Sequence, residues 1–598
     1  MVLFPPGSLL QPALAEVSAD WWPAQKAAQA YVEVAVPHSF AERNLLQGLA
    51  GLAARAVNEG RGDELVWMDD GNTEIQEWQQ LTVKRLSMER RGGFSVWELL
   101  TRYQEKSLVK GYVVYQAEVE VAAVMNRALA GAGRPRPVEA GKGRRTTGGD
   151  RRLQVPNPEM SPDEVTHRTA VQVGESLNVA TTLAGLLDAV PVEESLEGRI
   201  QACGLSRLAD GRSLTLAEAF ERYRGQCDSN VVYLLNPRLP NMRDMAVAHR
   251  GFAGYGTNGT TRMLFDWTVP LAPVIGWGQG DEFKHTAPVS RSAHFHTVSD
   301  CVQNIPLLSA DAGRYQSRRL PEFDPKTIDR ADKRPCVAFM MSDGDNLGYM
   351  MAGFWSKSFW GHPAHGQFPM GFSACLGDLA QTMPVVLDRI VETKPPRTSV
   401  IQFTGGYFYP DLFAADRTNR WDLLRAHARR INAQMQRTGA TIMCCIMDKS
   451  DSPEAQQALR IFAEEINPLL GIMIMEYAPY HGGGGKVHWV SDGRGGEVPA
   501  VTARYCMWAG MNKKGAGGPA EVARQANEDA ATDEDNGVSW VAVHAWSQHA
   551  DPVTGRKESG LGPVARCVEL LDQSKVRVVS PEEMLWRLRR GRCEPTRP

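Results

Sequence analysis

Hydrophobic residues follow different patterns in the two halves of the chain. From about residue 331 onward, continuous apolar runs recur at 336–341, 399–403, 441–447, 471–475, 502–507, 539–545 and 576–579, with a weaker run near 370–375. Amphipathic segments such as RWDLLRAHARRINAQMQRTG and SPEAQQALRIFAEEI separate several of these runs. Continuous apolar strands that alternate with amphipathic helices predict a parallel sheet covered on both faces. Seven or eight strands fit a C-terminal (β/α) barrel-like domain, and an open doubly wound sheet is the alternative.

The N-terminal half contains a repeated order of patterns. Asn44 and Asn178 are each followed, at the same spacing, by the helix-like string LAGL. An amphipathic segment and an apolar β-rich run come later in both copies: VWELLTRY then YVVY, and LAEAFERY then VVYLL. Two matched elements in the same order predict two related smaller α/β modules, at about 40–125 and 170–250.

A chain of 598 residues is too long for one hydrophobic core, so several domains are expected. The patterns predict an N-terminal α/β module at 1–165, a second related module at 166–300, and a barrel-like candidate catalytic domain at 301–598. The stretch 131–152 is rich in Gly, Pro and Arg and nearly devoid of apolar residues. Such a stretch cannot bury enough surface to order itself, so it predicts a flexible, solvated basic loop rather than a nucleic-acid-binding arm.

Composition and charge exclude several classes of protein. Hydrophobic residues make up 43% of the chain and charged residues 23%, as in ordinary globular proteins. The net charge of −3 argues against nucleic acid as a partner. No apolar run approaches the length of about 18 residues that a membrane span requires. The N-terminus has no basic region before its apolar residues, and Pro5-Pro6 interrupts them, which predicts retention in the cytoplasm.

The ten cysteines have no metal-ligand spacing and no CxxC pair. Cys444 and Cys445 are adjacent inside one apolar run, and Cys336 and Cys506 lie in other predicted strands. These positions predict buried thiols rather than a disulfide framework.

Polar and aromatic residues follow nearly every predicted strand of the C-terminal half. In parallel β/α barrels, functional groups gather at the C-terminal ends of the strands. The residues at these positions are Ser342, Asp343, Asp345, Asn346, Tyr407, Tyr409, Asp411, Asp448, Lys449, Glu476, Tyr477, Tyr480, His481, His544, Trp546 and His549. This set predicts the rim of an active site.

Each of the main candidates also has a structural interpretation. The sequence SDGDN at 342–346 is a good turn and helix N-cap, so Asp345 is the first choice for catalysis and Asp343 its structural partner. Glu476 directly follows a buried apolar run, which favours a functional role over a surface ion pair. His544 fits either a buried histidine bonded to a backbone carbonyl or a substrate contact.

The segment TSVIQFTGGYFYP at 398–410 carries a distinctive combination of residues. An apolar run stops at two glycines, which allow the backbone to turn tightly or to lie against a ligand. Tyr407 and Tyr409 follow, and tyrosine offers a flat face and a hydroxyl group. This combination suits a pocket for a sugar ring.

The same segment resembles the signature of the GxGYxYP family, classed as glycoside hydrolases of largely unproven activity. The match covers Gly406, Tyr407, Tyr409 and Pro410, whereas Thr404 stands where the family has its first glycine. Other stretches are also similar to the family: MSDGDN at 341–346, PMGFSACLGDLAQTMPVVLD at 369–388, VIGWGQGDEF at 274–283, and the spacing of Asp300 and Asn304. The resemblance implies hydrolysis of an oligo- or polysaccharide, and it implies export from the cell.

Glycoside hydrolysis requires two carboxyl groups that flank the scissile bond, one as acid and one as nucleophile or base. Asp345 and Glu476 follow different strands, so a barrel could hold them on opposite sides, with Glu476 as the acid. A separation of about 5 to 5.5 Å predicts retention, and about 6.5 to 9.5 Å predicts inversion. The expected substrate contacts are Tyr407, Tyr409, Gly406, Trp546, His544, Asn346, Trp277 and Glu282.

Two other functions compete with this one. The first is a metal-dependent hydrolase, such as a sugar deacetylase, with Asp343, Asp345, His544 and His549 around a divalent cation. The helical HxxxH spacing is absent, and the two-carboxylate scheme requires no cofactor. The second is a non-catalytic carbohydrate-binding protein, which the aromatic segment would serve equally well.

Overall fold

The computed structural model describes residues 18–116, 167–256, 259–279, 282–298, 302–313, 318–477, 483–511, 514–530 and 537–593. Four features of the sequence predictions lie outside these residues: the extreme N-terminus, the basic loop at 131–152, Asp300, and the pair Tyr480 and His481.

Three small parallel sheets occupy the first half of the described chain, with strand orders β2-β1-β3, β5-β4-β6 and β10-β9-β7-β8. The first contains β1 (Ala30–Ala35), α1 (Phe40–Asn58), β2 (Glu64–Asp69), α2 (Thr73–Leu86), β3 (Glu89–Phe94) and α3 (Val96–Glu105). The second contains β4 (Gly111–Tyr115), α4 (His167–Leu187), β5 (Ala189–Glu193), α5 (Glu197–Ala202), β6 (Arg207–Asp210) and α6 (Leu216–Tyr223). The third contains β7 (Asp228–Leu234), α7 (Arg243–Ala248), β8 (Gly251–Gly254), α8 (Gly259–Trp267), β9 (Pro273–Gly276), α9 (Glu282–Arg291) and β10 (Phe295–Val298).

The helices of the sequence repeat occupy equivalent places in the first two sheets. The runs YVVY and VVYLL, predicted to end the two modules, instead lie in β4 of the second sheet and β7 of the third. The two LAGL strings lie in α1 and α4, and VWELLTRY and LAEAFERY begin α3 and α6. Both α3 and α6 start with a capping box, Ser95 with Glu98 and Thr215 with Glu218. The sequence predicted two modules, whereas the structure contains three small sheets. The third was missed because its equivalent helix, α7, has only 6 residues and no LAGL string. The predicted domain boundaries stay a prediction.

The helices α1, α4 and α7, each of which follows the first strand of its sheet, pack against one another. Gly51 of the first LAGL string allows the close approach, because a Cβ there would lie 2.7 Å from the Val247 Cβ. The buried Arg55 donates to the backbone carbonyls of Gly185 and Val247 and forms an ion pair with Asp188. One cation of α1 therefore joins the C-terminal ends of α4 and α7, where helix dipoles favour positive charge.

The remaining elements form one large sheet and its helices. In chain order they are α10 (Ile305–Leu308), β11 (Cys336–Met341), α11 (Leu347–Met351), β12 (Met370–Ala374), α12 (Leu376–Thr382), α13 (Pro384–Thr393), β13 (Thr398–Phe403), α14 (Arg420–Thr438), β14 (Ile442–Met447), α15 (Pro453–Glu465), β15 (Gly471–Glu476), β16 (Val487–Ser491), β17 (Glu497–Thr502), β18 (Tyr505–Met507), β19 (Ala516–Gly517), α16 (Pro519–Asp529), β20 (Val538–Val543), β21 (His549–Ala550), β22 (Lys557–Glu558), α17 (Leu561–Leu570), β23 (Arg577–Val578) and α18 (Pro581–Cys593).

The large sheet is curled into a half-barrel and is parallel except for the edge strand β16. Its order is β16-β17-β15-β14-β13-β12-β11-β20-β18-β19, with β23 beside β11. One segment touches both ends of the curl, because the Ala503 N–H donates to Ile474 O at 2.9 Å and the Arg504 N–H donates to Trp540 O at 3.0 Å. The prediction of a barrel-like parallel sheet is thus confirmed as a curled half-barrel, whereas the count of seven or eight barrel strands stays a prediction.

Strand residues alternate between two hydrophobic clusters. One set packs with the surrounding helices α12–α17 on the outside of the curl. The other set packs across the strands on the inside, together with Met584, Leu585 and Leu588 of α18. A Cβ at Gly471, the first residue of β15, would lie 2.6 Å from Leu585, so α18 fills the N-terminal end of the curl. The C-terminal ends of the strands remain for a functional site.

The segment around residues 18–22 fastens the start of the described chain to α12. The Trp21 and Trp22 indole N–H groups donate to one oxygen of the fully buried Asp378, at 2.8 and 3.3 Å. Burial raises the pKa of Asp378 to about 7.

The cysteines whose side chains the structure describes are free, and six of them are buried, as predicted. Within the described residues, no helix is both long enough and apolar enough to cross a membrane.

Candidate active site at the strand ends

The residues that follow the strands of the curled sheet at its C-terminal end form what we term the strand-end rim. Alternation along each strand decides which of them face the inside. In β15, Met473 and Met475 belong to the inner cluster, and Ile472 and Ile474 belong to the outer one. By this alternation Glu476, the last residue of β15, belongs with Ile472 and Ile474 on the outer side of the sheet. Tyr477 packs with the inner cluster.

The carboxylate of Glu476 forms hydrogen bonds with the turn that follows β14. Its Oε1 accepts hydrogen bonds from the Ser450 N–H at 3.1 Å and from the Ser450 hydroxyl at 2.5 Å. Ser450 is fully buried, so the carboxylate is the acceptor that satisfies its polar groups. This geometry gives Glu476 a definite structural task at the rim.

Asp411 holds the same turn from the opposite side. Its two carboxylate oxygens accept from the Asp448 N–H at 3.2 Å and the Lys449 N–H at 2.9 Å. Asp411 is 4% exposed, and its burial, with the charge of Asp448 in addition, raises its pKa to about 6. Three consecutive backbone N–H groups are thus bonded to carboxylates, one in the segment that follows β13 and one at the end of β15. We term Asp411, Glu476 and the turn 448–450 the carboxylate clamp.

The SDGDN turn after β11 is built largely by its own side chains. Asp343 has a left-handed backbone, with φ of 68°, and accepts from the Ser342 hydroxyl at 2.5 Å. A Cβ at Gly344 would lie only 1.8 Å from Ser373 O, so this turn packs directly on β12. Asn346 caps α11 by accepting from the Tyr349 N–H. Asp343 and Asn346 therefore shape the turn that presents Asp345.

Asp345 is half-buried in the turn that follows β11. Burial raises the pKa of the Cys444 thiol, and the charges of Cys445 and Asp345 raise it further. Cys444 belongs to the inner cluster on β14, three strands away from β11 in the sheet order. The charge of Asp345 also raises the pKa of the Cys375 thiol, in the outer cluster, so the carboxylate is close enough to act on both β14 and the residue that follows β12.

The two signature tyrosines are interior residues. Tyr407 is 3% exposed and Tyr409 is fully buried, so their ring faces contact protein. The Tyr407 hydroxyl donates to Glu282 and lies 3.2 Å from the Tyr409 hydroxyl. Trp277 stacks on Tyr407 with a ring separation of 6.3 Å and an angle of 11°. The expectation of open tyrosine faces for a sugar therefore does not describe this segment, whose rings join the third small sheet to the curled sheet.

The glycines of the signature allow the same contact between the third small sheet and the curled sheet. Gly406 has φ of 85°, and a Cβ there would lie 2.5 Å from Phe295 and 2.6 Å from His296 O. His296 of β10 and Tyr407 exchange backbone hydrogen bonds at 2.9 and 2.6 Å. Thr404, in place of the first glycine, donates its hydroxyl to Gly406 O. Glycine is required here for contact between sheets.

The aromatic surface of the rim comes from other residues. Trp277, Phe283 and Tyr477 are half-buried and pack against the inner cluster. The Phe283 N–H donates to the Tyr477 hydroxyl at 3.2 Å, and the two rings lie 5.3 Å apart. The sequence analysis selected Trp277 and Glu282 from VIGWGQGDEF but missed Phe283, although it ends the same string.

His544 and Trp546 lie in different surroundings. His544 is half-buried and stacks on Trp508, with ring centres 3.6 Å apart. Trp546 contacts Tyr349 and Phe359 edge-on, in the outer cluster beside α11. The structure thus keeps His544 at the rim and sets Trp546 among aromatic residues behind it.

No group of three or more His, Cys, Asp or Glu side chains within the described chain is arranged to hold a metal ion. His549, expected beside His544 in a divalent site, is buried, and burial lowers its pKa to about 4. The metal-dependent alternative therefore gains no support from these residues.

Comparison with known proteins gives a family and a fold. Residues 334–589 match the model of the GxGYxYP putative glycoside hydrolase C-terminal domain, and residues 168–227 match that of the GxGYxYP_N second domain. The crystal structure of a putative hydrolase from Bacteroides thetaiotaomicron VPI-5482 is similar, with a TM-score of 0.73 and 19% identity over 96% of this chain and 98% of that one. No curated protein matches the chain. With both domain models matched, the chain belongs to the GxGYxYP family.

Proposed function

We propose that this protein hydrolyses glycosidic bonds at the strand-end rim, with Asp345 as one of two catalytic carboxyl groups. The observation that carries the proposal is the position of Asp345, half-buried in the turn that follows the C-terminal end of the parallel strand β11. Functional groups gather at this end of parallel β/α sheets. The family description as a glycoside hydrolase supports the same reaction.

The chemistry needs only carboxyl groups and water. One carboxyl donates its proton to the glycosidic oxygen as the bond to the anomeric carbon breaks, and the leaving sugar departs as an alcohol. Water supplies the hydroxyl that ends on the anomeric carbon. In an inverting course its other proton passes to the second carboxylate; in a retaining course the second carboxylate forms and then releases a covalent glycosyl intermediate, and the proton of water returns to the first carboxylate. One water is consumed, and both carboxyl groups are available for the next turnover.

The partner predicted from the sequence, Glu476, stands on a distant strand. β11 and β15 are four strands apart, which at about 4.8 Å per strand is about 19 Å along the sheet. The curl shortens that path, but Glu476 follows the outward set and is bonded to Ser450. These contacts support a role for Glu476 in holding the carboxylate clamp, and the second carboxyl group is taken up in the next subsection.

The aromatic residues of the rim suit a sugar ring. Trp277, Phe283 and Tyr477 leave part of their surface open, and aromatic faces complement the apolar face of a pyranose. Glu282, which accepts from Tyr407, lies beside them on α9. We therefore propose an oligo- or polysaccharide substrate that lies between α9 and the ends of β11 and β14.

A panel of 4-nitrophenyl glycosides and plant, bacterial and animal polysaccharides, assayed for released nitrophenol or reducing ends, tests the proposal. The wild-type protein should release product in the presence of a chelator, and Asp345→Asn should release none. Glu569→Gln is the matched control, because Glu569 is exposed on α17. Product that disappears with the chelator would favour a metal-dependent hydrolase. Glycan binding without product by both wild-type and Asp345→Asn would favour a carbohydrate-binding protein.

A further inference from the structure

The turn after β14 carries a carboxylate that the sequence analysis placed at the rim but gave no role. Ile442, Cys444 and Ile446 of β14 belong to the inner cluster. Met447 pairs with Glu476, and the Tyr477 N–H donates to Met447 O, so the ladder continues to the end of both strands. Asp448 comes next in the alternation after Ile446 and is half-buried, so it follows the inward set at the level of Tyr477.

The carboxylate of Asp448 is available for chemistry. Within the described part of the chain, no hydrogen bond or ion pair involves its oxygens; only its backbone N–H is bonded, to Asp411. The carboxylates of Asp411 and Glu476 have the opposite character, since each accepts two hydrogen bonds from the turn. In the carboxylate clamp, Asp411 and Glu476 therefore bind the turn, and the turn positions the carboxylate of Asp448.

The clamp fixes the position of Asp448 without using its side chain. Asp411 and Ser450 are buried, so their hydrogen bonds are protected from competing water. Three consecutive N–H groups bonded to the buried Asp411 carboxylate and to Glu476 of β15 leave the turn little freedom to move. Catalytic groups need such support, because a small displacement from the reactive geometry costs a large part of the rate.

Asp448 is also nearer to Asp345 than Glu476 is, in terms of the sheet order. β11 and β14 are three strands apart, about 14 Å along the sheet, compared with about 19 Å for β15. The charge of Asp345 already acts on Cys444, which lies on the inner face of β14 four residues before Asp448. The curl of the sheet shortens that path, so carboxyl groups that follow β11 and β14 can flank one bond, as glycoside hydrolysis requires.

We propose that Asp448 is the second catalytic carboxyl group, opposite Asp345, and that Asp411 and Glu476 are positioning residues that hold its turn. This inference rests on the proposed function. In the reaction, one of the Asp345 and Asp448 pair donates the proton to the departing sugar oxygen. The other either accepts the proton that water loses as its hydroxyl adds to the anomeric carbon, or bonds to that carbon and is released when water, which gives its proton to the first carboxylate, replaces it. No further reactant is involved.

The test uses the full-length protein and whichever 4-nitrophenyl glycoside or polysaccharide the wild type cleaves, with kcat, KM and melting temperature measured for each variant. Asp448→Asn should lower kcat at least about a thousandfold without a change in melting temperature, because its carboxylate makes no hydrogen bond or ion pair within the described residues. Glu476→Gln should lower kcat no more than about tenfold, because the amide oxygen still accepts from Ser450. Glu476→Ala should lower kcat further while KM stays within about twofold, as expected when a catalytic group is misplaced.

Two results would overturn the inference. One is that the Asp448→Asn variant keeps more than about a tenth of the wild-type kcat. The other is Glu476→Gln that loses activity as completely as Asp448→Asn at an unchanged melting temperature, which would make Glu476 the catalytic group. Both results require active wild-type protein, so they leave the proposed function intact. A wild type that cleaves nothing in the panel refutes the function itself, and the inference with it.

Discussion

The junction between α1, α4 and α7 and the strand-end rim both bury charged side chains, but they use them differently. At the junction, Arg243 is fully buried and donates to Asn178, Thr181 and the backbone carbonyl of Asn236. Arg55 similarly donates to backbone carbonyls of the two neighbouring helices. Both cations therefore satisfy acceptor groups inside a packed interface between helices.

At the rim the bonded charges are carboxylates, and they accept from the backbone of a turn that carries a further carboxylate. Asp411 and Glu476 resemble Arg55 in their task, whereas Asp448 has no counterpart at the junction. The comparison teaches that burial of charge alone does not identify a functional group. A half-buried charge with no partner, held by buried ones that have partners, is the better indicator.

Removal of the junction cation should have the largest effect on stability. Arg243→Ala leaves the acceptor groups of Asn178, Thr181 and Asn236 without their donor in a dry interior. We expect a loss of about 5 kcal/mol in the free energy of unfolding, from about 1 to 3 kcal/mol for each buried group left unsatisfied. Chemical denaturation measures this loss, and Arg222→Ala on α6 is the control. A loss below about 1 kcal/mol would contradict a structural role for Arg243.

The buried Asp378, which accepts hydrogen bonds from the indoles of Trp21 and Trp22, should make the stability of the protein depend on pH. Its pKa in the folded protein is about 7, above the unfolded value of 3.8, so its contribution is fully present below pH 3.8 and is lost as the pH rises through 7. A shift of about three units corresponds to about 4 kcal/mol. Asp378→Asn keeps an acceptor for both indoles and should be more stable than wild type at pH 8 but not at pH 4. Equal melting temperatures of the two proteins at pH 8 would contradict a raised pKa for Asp378 in the folded protein.

The signature glycine should be sensitive to one added methyl group. Gly406→Ala forces a Cβ against Phe295 and His296 O at a left-handed φ, so we expect a loss of about 3 kcal/mol. Gly60→Ala is the matched control, because Gly60 also has a left-handed φ, of 75°, but nothing lies within 4 Å of its Cβ. It should lose about 1 kcal/mol. Equal losses for the two variants would show that the contact between sheets contributes nothing.

The smallest effect on stability should come from removal of the Tyr407 hydroxyl group, which joins the signature segment to α9. Tyr407→Phe removes the hydrogen bond to Glu282 and should cost about 1 to 2 kcal/mol of stability. Because Glu282 lies beside the aromatic residues of the rim, we also expect KM for the cleaved glycoside to rise more than kcat falls. A change in kcat alone would place Tyr407 in the chemistry rather than in the support of α9.

Much of the fold follows from local pattern. Every apolar run predicted in the C-terminal half coincides with a strand, including the weaker one, which is β12 (Met370–Ala374). The predicted run at 502–507 covers the three-residue strand β18, whereas β19 was not predicted, because its two residues give no period to read. The third small sheet was missed for a similar reason, since its helix α7 is too short to repeat the LAGL pattern.

The site was harder to predict because the deciding information is not local. The strands IMCCIM and GIMIM are buried on both faces, so their sequences do not show that Asp448 follows the inward set and Glu476 the outward one. Tyr407 has the composition of a ligand contact, but its partner His296 lies in a strand of another sheet. Residue type placed these groups at the rim, and only packing assigned their directions.

The most direct test of the account is the ratio of kcat for Asp345→Asn to kcat for the wild type, on a glycoside that the wild type cleaves. A ratio of about one thousandth or less, with an unchanged melting temperature, is predicted for a carboxyl group that takes part in the reaction. A ratio near one would contradict the claim that the rim of the curled sheet carries the hydrolytic chemistry.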